Sequence, residues 1–227
     1  MADSTNQSQE IRDKAKEFVF PSAFTYYEEP LVIEKGQGAT LIDADGREYL
    51  DFFGGILTVG VGHCHPEVVR RTAEQSAKLQ HTSSLYLTEP YVHLAEKLAQ
   101  ITPGRLQKSF FTNSGSEANE TAVMAARSHT GNHEVVALRS GYSGRTGVAM
   151  SLTGQAPWRM TGAGTMGGVV HLANPYCYRC PYEQTYPSCD LLCARDMEQV
   201  IQTSTSGGIA AFIAEPIQGV GGFIVPP

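Results

Sequence analysis

Residues 109–127 read Ser-Phe-Phe-Thr-Asn-Ser-Gly-Ser-Glu-Ala-Asn-Glu-Thr-Ala-Val-Met-Ala-Ala-Arg, and this stretch decides the fold. The apolar pair Phe110-Phe111 predicts a short buried strand. Small polar residues, Asn113-Ser114-Gly115-Ser116, turn the chain. Ala118, Ala122, Ala125 and Ala126 then recur on one face of a helix. Ser114 and Glu117 match a capping box, which sets the expected helix start near Gly115.

A strand that turns directly into a helix leaves the first helical N–H groups without partners, and the helix dipole adds positive potential there. Such a start suits an anion, a phosphate above all. Gly115 lets the anion approach the backbone, and the hydroxyls of Ser114 and Ser116 add donors. A well-capped helix that binds nothing is the plain alternative.

Outward from this stretch the pattern alternates. Strands are expected at 135–138, 169–172 and 209–214, with helices at 116–129 and 194–203. Short apolar strands alternating with helices predict an α/β fold with a mostly parallel sheet. Towards the N-terminus, a helix is expected over 10–18 and a hairpin over 31–50, turning at Asp45-Gly46. A glycine-rich connection follows over 54–62. Pro66 and Pro90 each open a helix, and Pro103-Gly104 stops the second. No internal repeat occurs. Gly162-Ala163-Gly164-Thr165-Met166-Gly167 matches a dinucleotide-binding pattern by letter, but no strand precedes it and a strand follows, so it reads as a loop.

The chain has 227 residues, 41% hydrophobic and 18% charged, enough for one large domain or two small ones. A formal net charge of −6 argues against a nucleic-acid partner. The first ten residues are polar and do not read as a signal peptide. No apolar run is long enough for a membrane span. Five cysteines cannot all pair within one chain, which fits a reducing compartment and a cytoplasmic enzyme.

Four of those cysteines, Cys177, Cys180, Cys189 and Cys193, form a Cys-x2-Cys pair and a Cys-x3-Cys pair. Paired thiolates at this spacing can hold structural zinc. A disulfide staple or four free thiols in an insertion are the other readings. Each of them is structural and not catalytic.

Four ordered motifs resemble the class III aminotransferases, which use pyridoxal 5′-phosphate (PLP). Asn113-Ser114-Gly115-Ser116-Glu117-Ala118-Asn119 is similar to the family's phosphate cup. Asp43-Ala44-Asp45-Gly46-Arg47-Glu48-Tyr49-Leu50-Asp51 resembles its N-terminal hairpin. Gly141-Tyr142-Ser143-Gly144-Arg145-Thr146 looks like its cofactor-stacking loop, with Ser143 where the family usually has His. Glu215-Pro216-Ile217-Gln218-Gly219 is similar to its Glu-Pro-x-Gln-Gly segment. The resemblance implies the PLP-dependent transferase fold type I. Residues 1–60 would belong to the small domain, and 61–227 would form the large PLP-binding domain.

It implies cofactor contacts for Ser114, Gly115, Ser116, Tyr142, Glu215 and Gln218, with the Tyr142 ring stacked on the pyridine. Arg145 is the candidate for a substrate carboxylate, because a guanidinium binds one with two hydrogen bonds. Val220 stands where several ω-amino-acid enzymes of the family have Glu, which tilts the reading from 4-aminobutyrate towards alanine–glyoxylate aminotransferase. His63-Cys64-His65 resembles a Gly-His-x-His-Pro loop of the family that binds no metal. Amino acid and 2-oxo acid substrates and a homodimer are implied as well.

Transamination also needs a Schiff-base lysine and an acidic partner for the ring nitrogen. In the family both follow the Glu-Pro-x-Gln-Gly segment, so they are expected beyond Pro227. Lys97 and Lys108 match neither motif. The chain therefore reads as an N-terminal half, inactive alone. A decarboxylase or aminomutase of the same fold is one alternative, and a non-catalytic zinc-stapled module is another.

Overall fold

A computed structural model describes residues 4–21, 25–159 and 164–227. The chain forms two compact units, Met1–His93 and Leu94–Pro227. The first holds helix α1 (Ser4–Phe18) and a three-stranded antiparallel meander of β1 (Ile33–Gln37), β2 (Thr40–Asp43) and β3 (Glu48–Leu50). The helix starts earlier than expected. The expected turn at Asp45-Gly46 is the second turn of the meander, and β1 runs through Glu-Lys-Gly-Gln, which lacks an apolar pattern. Buried Asp43 closes the β2–β3 turn by accepting from the Asp45 and Arg47 amides at 3.0 and 2.8 Å and from the Tyr49 hydroxyl at 2.8 Å. Ser8 of α1 donates to Asp45 at 2.9 Å.

The glycine-rich connection contains a single turn, α2 (Gly54–Leu57), wound the wrong way. Gly54, Gly55, Ile56 and Leu57 have φ of 55°, 60°, 62° and 60°. Left-handed backbone costs a residue with a side chain about 1–2 kcal/mol, so Ile56 and Leu57 must be held there. Asp51 holds the turn from below, with Oδ1 accepting from the Phe53 and Gly54 amides at 2.8 and 3.0 Å. Helix α3 (Pro66–Lys78) begins on its proline, and α4 is Glu89–Ile101.

The second unit is a three-layer α/β sandwich. Its sheet is parallel in the order β5-β4-β6, from Val169–Leu172, Glu134–Leu138 and Ile209–Ile213. In central β4, Val135 and Ala137 face α5 (Gly115–Thr130) and α6 (Gly147–Leu152). Val136 and Leu138 face Met197, Val200 and Ile201 of α7 (Leu192–Ser204). Both faces are covered, so β4 is apolar at consecutive positions and does not alternate. Phe110-Phe111 does not form the expected strand. That segment joins neither sheet, and Phe110 is 76% exposed.

Helix α6 is absent from the sequence reading. Its Val148 to Leu152 are all buried, so it has no polar face to reveal a helical period. Of the dinucleotide-like pattern, Gly162 and Ala163 lie outside the described residues.

Candidate active site

Every strand of the parallel sheet ends on the same side, and the chemistry-bearing segments leave from those ends. Residues 139–146 follow β4, Asn174 follows β5, and Glu215 and Gln218 follow β6. Ligands bind α/β sheets at these C-terminal ends, where strand connections part in opposite directions. The chain runs from β4 out to β5 and then crosses back to β6 on the far side of β4.

Helix α5 starts at Gly115 with Ser114 as its cap. The Ser114 hydroxyl accepts from the Glu117 amide at 3.2 Å. The Glu117 carboxylate reaches back to the Asn113 amide at 2.7 Å, one residue before the usual capping-box partner. Among the described residues, the Gly115 and Ser116 amides have no acceptor. The Ser116 hydroxyl accepts from the Arg145 amide at 3.2 Å, which leaves its own hydrogen free to donate. Gly144, with φ of 127°, packs so tightly on Ser116 that a Cβ would collide with the hydroxyl.

The loop after β4 is fixed at successive positions. Glu215 Oε1 accepts from the Tyr142 amide at 2.8 Å, while Oε2 accepts from the Gly219 amide at 2.9 Å. Thr153, fully buried, accepts from the Ser143 amide at 3.0 Å. Asn119 donates to the Ser143 carbonyl at 2.8 Å. Glu120 caps α6 by accepting from the Val148 amide at 2.9 Å. Sequence motifs assign no role to Asn119, Glu120 or Thr153. Their signal was polar character at positions that an isolated helix would give to solvent.

Gln218 is 2% exposed. Its amide nitrogen donates to the Arg139 carbonyl at 3.0 Å and to Asn174 Oδ1 at 3.3 Å. Both partners are acceptors, so the amide cannot be turned round. Its Oε1 is consequently buried without a donor. A buried acceptor left this way costs about 1–3 kcal/mol, which a ligand donor would relieve. Hydrogen bonds thus link the expected cofactor residues: Ser116 at the helix start holds the loop at Arg145, and Glu215 holds the same loop at Tyr142, with Gln218 bonded to its first residue, Arg139. Arg145 itself is exposed. None of the six chain lysines figures in these contacts.

The zinc expectation is corrected. Cys177, Cys180, Cys189 and Cys193 do line one cavity of about 20 Å³. Yet among the described residues no three His, Cys, Asp or Glu side chains are placed to share an ion. Tyr182 and Leu192 share the wall with the thiols. Burial pushes the Cys193 thiol up. Tyr182 donates to Asp196 at 2.7 Å, and burial with this bond pushes its phenol up to about 12. All five cysteines are free. In the other unit, His63 Nε2 meets Asp51 Oδ2 at 2.6 Å. That bond, with the Gly54 and Phe53 amides, holds the Asp51 carboxyl below the usual range. His63 thus braces the left-handed turn.

Comparison with known proteins agrees with this arrangement. The layered parallel sheet with its loops at the strand ends is the fold of the PLP-dependent transaminases. The chain belongs to the class-III aminotransferase family, whose model matches residues 23–227. It is 44% identical over 214 residues to alanine–glyoxylate aminotransferase 2 homolog 2, mitochondrial, of Arabidopsis thaliana, covering 94% of this chain and 44% of the relative. It is 38% identical over 200 residues to the 5-aminovalerate aminotransferase of Pseudomonas aeruginosa, covering 86% and 45%. A solved (S)-enantioselective omega-transaminase from Thermomicrobium roseum superposes with a TM-score of 0.88 at 31% identity, covering 97% of this chain and 52% of that one. The chain spans about half the length of the curated relatives it matches.

Proposed function

We propose that this chain supplies the phosphate grip and ring-holding loop of a PLP-dependent aminotransferase, which moves an amino group between an amino acid and a 2-oxo acid. The observation that carries the reading is the loop 141–145, held between Ser116 at a helix start and Glu215 at the end of β6. When bound, PLP supplies an electron sink that stabilises negative charge on the substrate α-carbon. The Gly115 and Ser116 amides and the Ser114 and Ser116 hydroxyls take its phosphate. Tyr142 offers its ring to the pyridine. The Gln218 Oε1 accepts from a ligand hydroxyl, and the 3-hydroxyl of PLP is such a donor. Arg145 takes the substrate carboxylate. No lysine of residues 1–227 is assigned to proton transfer, and the chain alone is expected to be inactive.

In this reading residues 1–60 belong to the small domain and 61–227 to the PLP domain, and the whole enzyme is a homodimer. Val220 and the alanine–glyoxylate relative favour an alanine-type donor over 4-aminobutyrate. Five free cysteines support a cytoplasmic location. No described helix is long and apolar enough to cross a membrane. The relative named as mitochondrial makes that compartment the alternative, which cell fractionation decides.

The test is a PLP titration of the full-length gene product, with amino-group exchange assayed between L-alanine and glyoxylate. Ser116→Ala is expected to weaken PLP binding about tenfold, the effect of losing one hydrogen bond to a charged group. Wild-type protein that binds no PLP overturns the reading. Binding without exchange for any donor favours the decarboxylase or aminomutase alternative.

A further inference from the structure

Trp158 is the chain's one tryptophan, and it touches both side chains on which substrate recognition would rest. Its ring meets Tyr142 edge-on, with centroids 5.5 Å apart and planes at 67°. The positive edge of one ring against the face of the other makes this geometry favourable. The Arg145 guanidinium carbon lies 6.0 Å from the indole centroid, at the outer limit of a cation–π contact.

The turn that carries the indole is tied down on two sides. It is a single 3-10 turn, Ala156–Trp158, whose last amide donates to the Gln155 carbonyl at 3.2 Å. Gln155 donates to the Val220 carbonyl at 3.1 Å, tying the turn to the loop after β6. Arg159 donates to the Thr153 carbonyl at 2.6 Å, tying it to the end of α6. Arg145 differs. Its backbone is pinned to Ser116, but its guanidinium is exposed and, among the described residues, has no carboxylate partner. A guanidinium resting on an aromatic face keeps its planar fork of donors open for a carboxylate.

We infer that Trp158 is a positioning residue: it is the shelf that holds Arg145 beside Tyr142 to receive the carboxylate of an amino acid or 2-oxo acid. The shelf thereby separates carboxylate-bearing donors from simple amines. This rests on the aminotransferase reading above.

Two measurements test it. In steady-state kinetics of the full-length enzyme, Trp158→Ala is expected to raise KM for L-alanine roughly tenfold while kcat stays within about twofold. KM for a carboxylate-free primary amine should not move. Trp158→Phe keeps a ring face and should recover most of the loss. Trp158→Ala added to Arg145→Gln should cost nothing more, because both remove one interaction. The second measurement is the indole emission, taken as wild type minus Trp158→Phe, during titration with propionate, a carboxylate that cannot react. The emission should shift in wild type and stay flat in Arg145→Gln. Equal KM increases for both donors, or an emission that propionate does not move in wild type, overturns the shelf. Should PLP fail to bind even the wild type, the aminotransferase reading falls, and the propionate titration still decides the role of Trp158.

Discussion

Two loops leave the same end of the same sheet, residues 139–146 after β4 and residues 173–191 after β5. The second is the more conspicuous in sequence, with three cysteines, four tyrosines and three prolines. Its backbone is nonetheless held mainly by its own neighbours: Arg179 to Tyr176, Glu183 to Cys180, Cys189 to Thr185 and Asp190 to Pro187. The Tyr182–Asp196 bond reaches beyond it. The first loop is plain in composition and is held by side chains brought from elsewhere: Ser116, Asn119, Thr153 and Glu215. A segment clamped from several distant elements cannot relax alone, and that is the condition for presenting a ring and an arginine at fixed positions. Convergence, more than a crowd of reactive residues, marks the site.

The comparison breaks most readily at Gly144. Gly144→Ala puts a methyl into the Ser116 hydroxyl at φ of 127° and is expected to cost about 3 kcal/mol by chemical denaturation, with loss of PLP binding. Glu215→Ala strands the Tyr142 and Gly219 amides together and should cost about 2–3 kcal/mol. Glu215→Gln keeps one acceptor and should cost less than half of that. Thr153→Val removes a fully buried hydroxyl from the same loop, for about 1–2 kcal/mol.

A smaller effect comes from His171 on β5, which meets the Leu152 carbonyl at 3.1 Å. Burial, with Arg159 and Arg139 nearby, holds its pKa below 6.5. The unfolded chain takes up that proton near 6.5 and the folded one does not. Stability is therefore full above about 6.5, falls as the pH drops towards the folded pKa, and levels off below it. Urea midpoints from pH 7.5 to 5 should show this slope, and His171→Asn should flatten it. The least effect is expected in the cysteine loop. EDTA should leave Tm unchanged, and Cys177→Ser with Cys180→Ser should cost under about 0.5 kcal/mol. A large drop in Tm with EDTA would reverse the ranking of the two loops.

Much of the second unit is legible in sequence because its signals are local. Val135-Val136-Ala137-Leu138 is an unbroken apolar run, and Ser114 with Glu117 announces the start of α5. What sequence hides is whatever depends on distant meetings. Phe110-Phe111 has strand-like residues and no place in either sheet. Helix α6 lacks a polar face. Trp158 sits in a stretch without a motif, and only its closeness to Tyr142 and Arg145 gives it meaning. The cysteine pairs show the opposite error, since regular spacing along the chain did not become convergence in space.

The Tyr142 amide is bonded to a carboxylate 73 residues further on, and Gln218 reaches an Arg139 carbonyl 79 residues before it. A nascent chain growing at about 10 residues per second exposes residues 139–146 some 7 seconds before β6 can leave the ribosome and close behind them. During that interval β4 gains β5 on one side and still has nothing on the other. Tyr142 and the glycines around it have no fixed conformation to adopt. Cofactor present in the cell at that stage meets an open edge and not a site, so the ability to bind PLP is expected to appear late and all at once during synthesis.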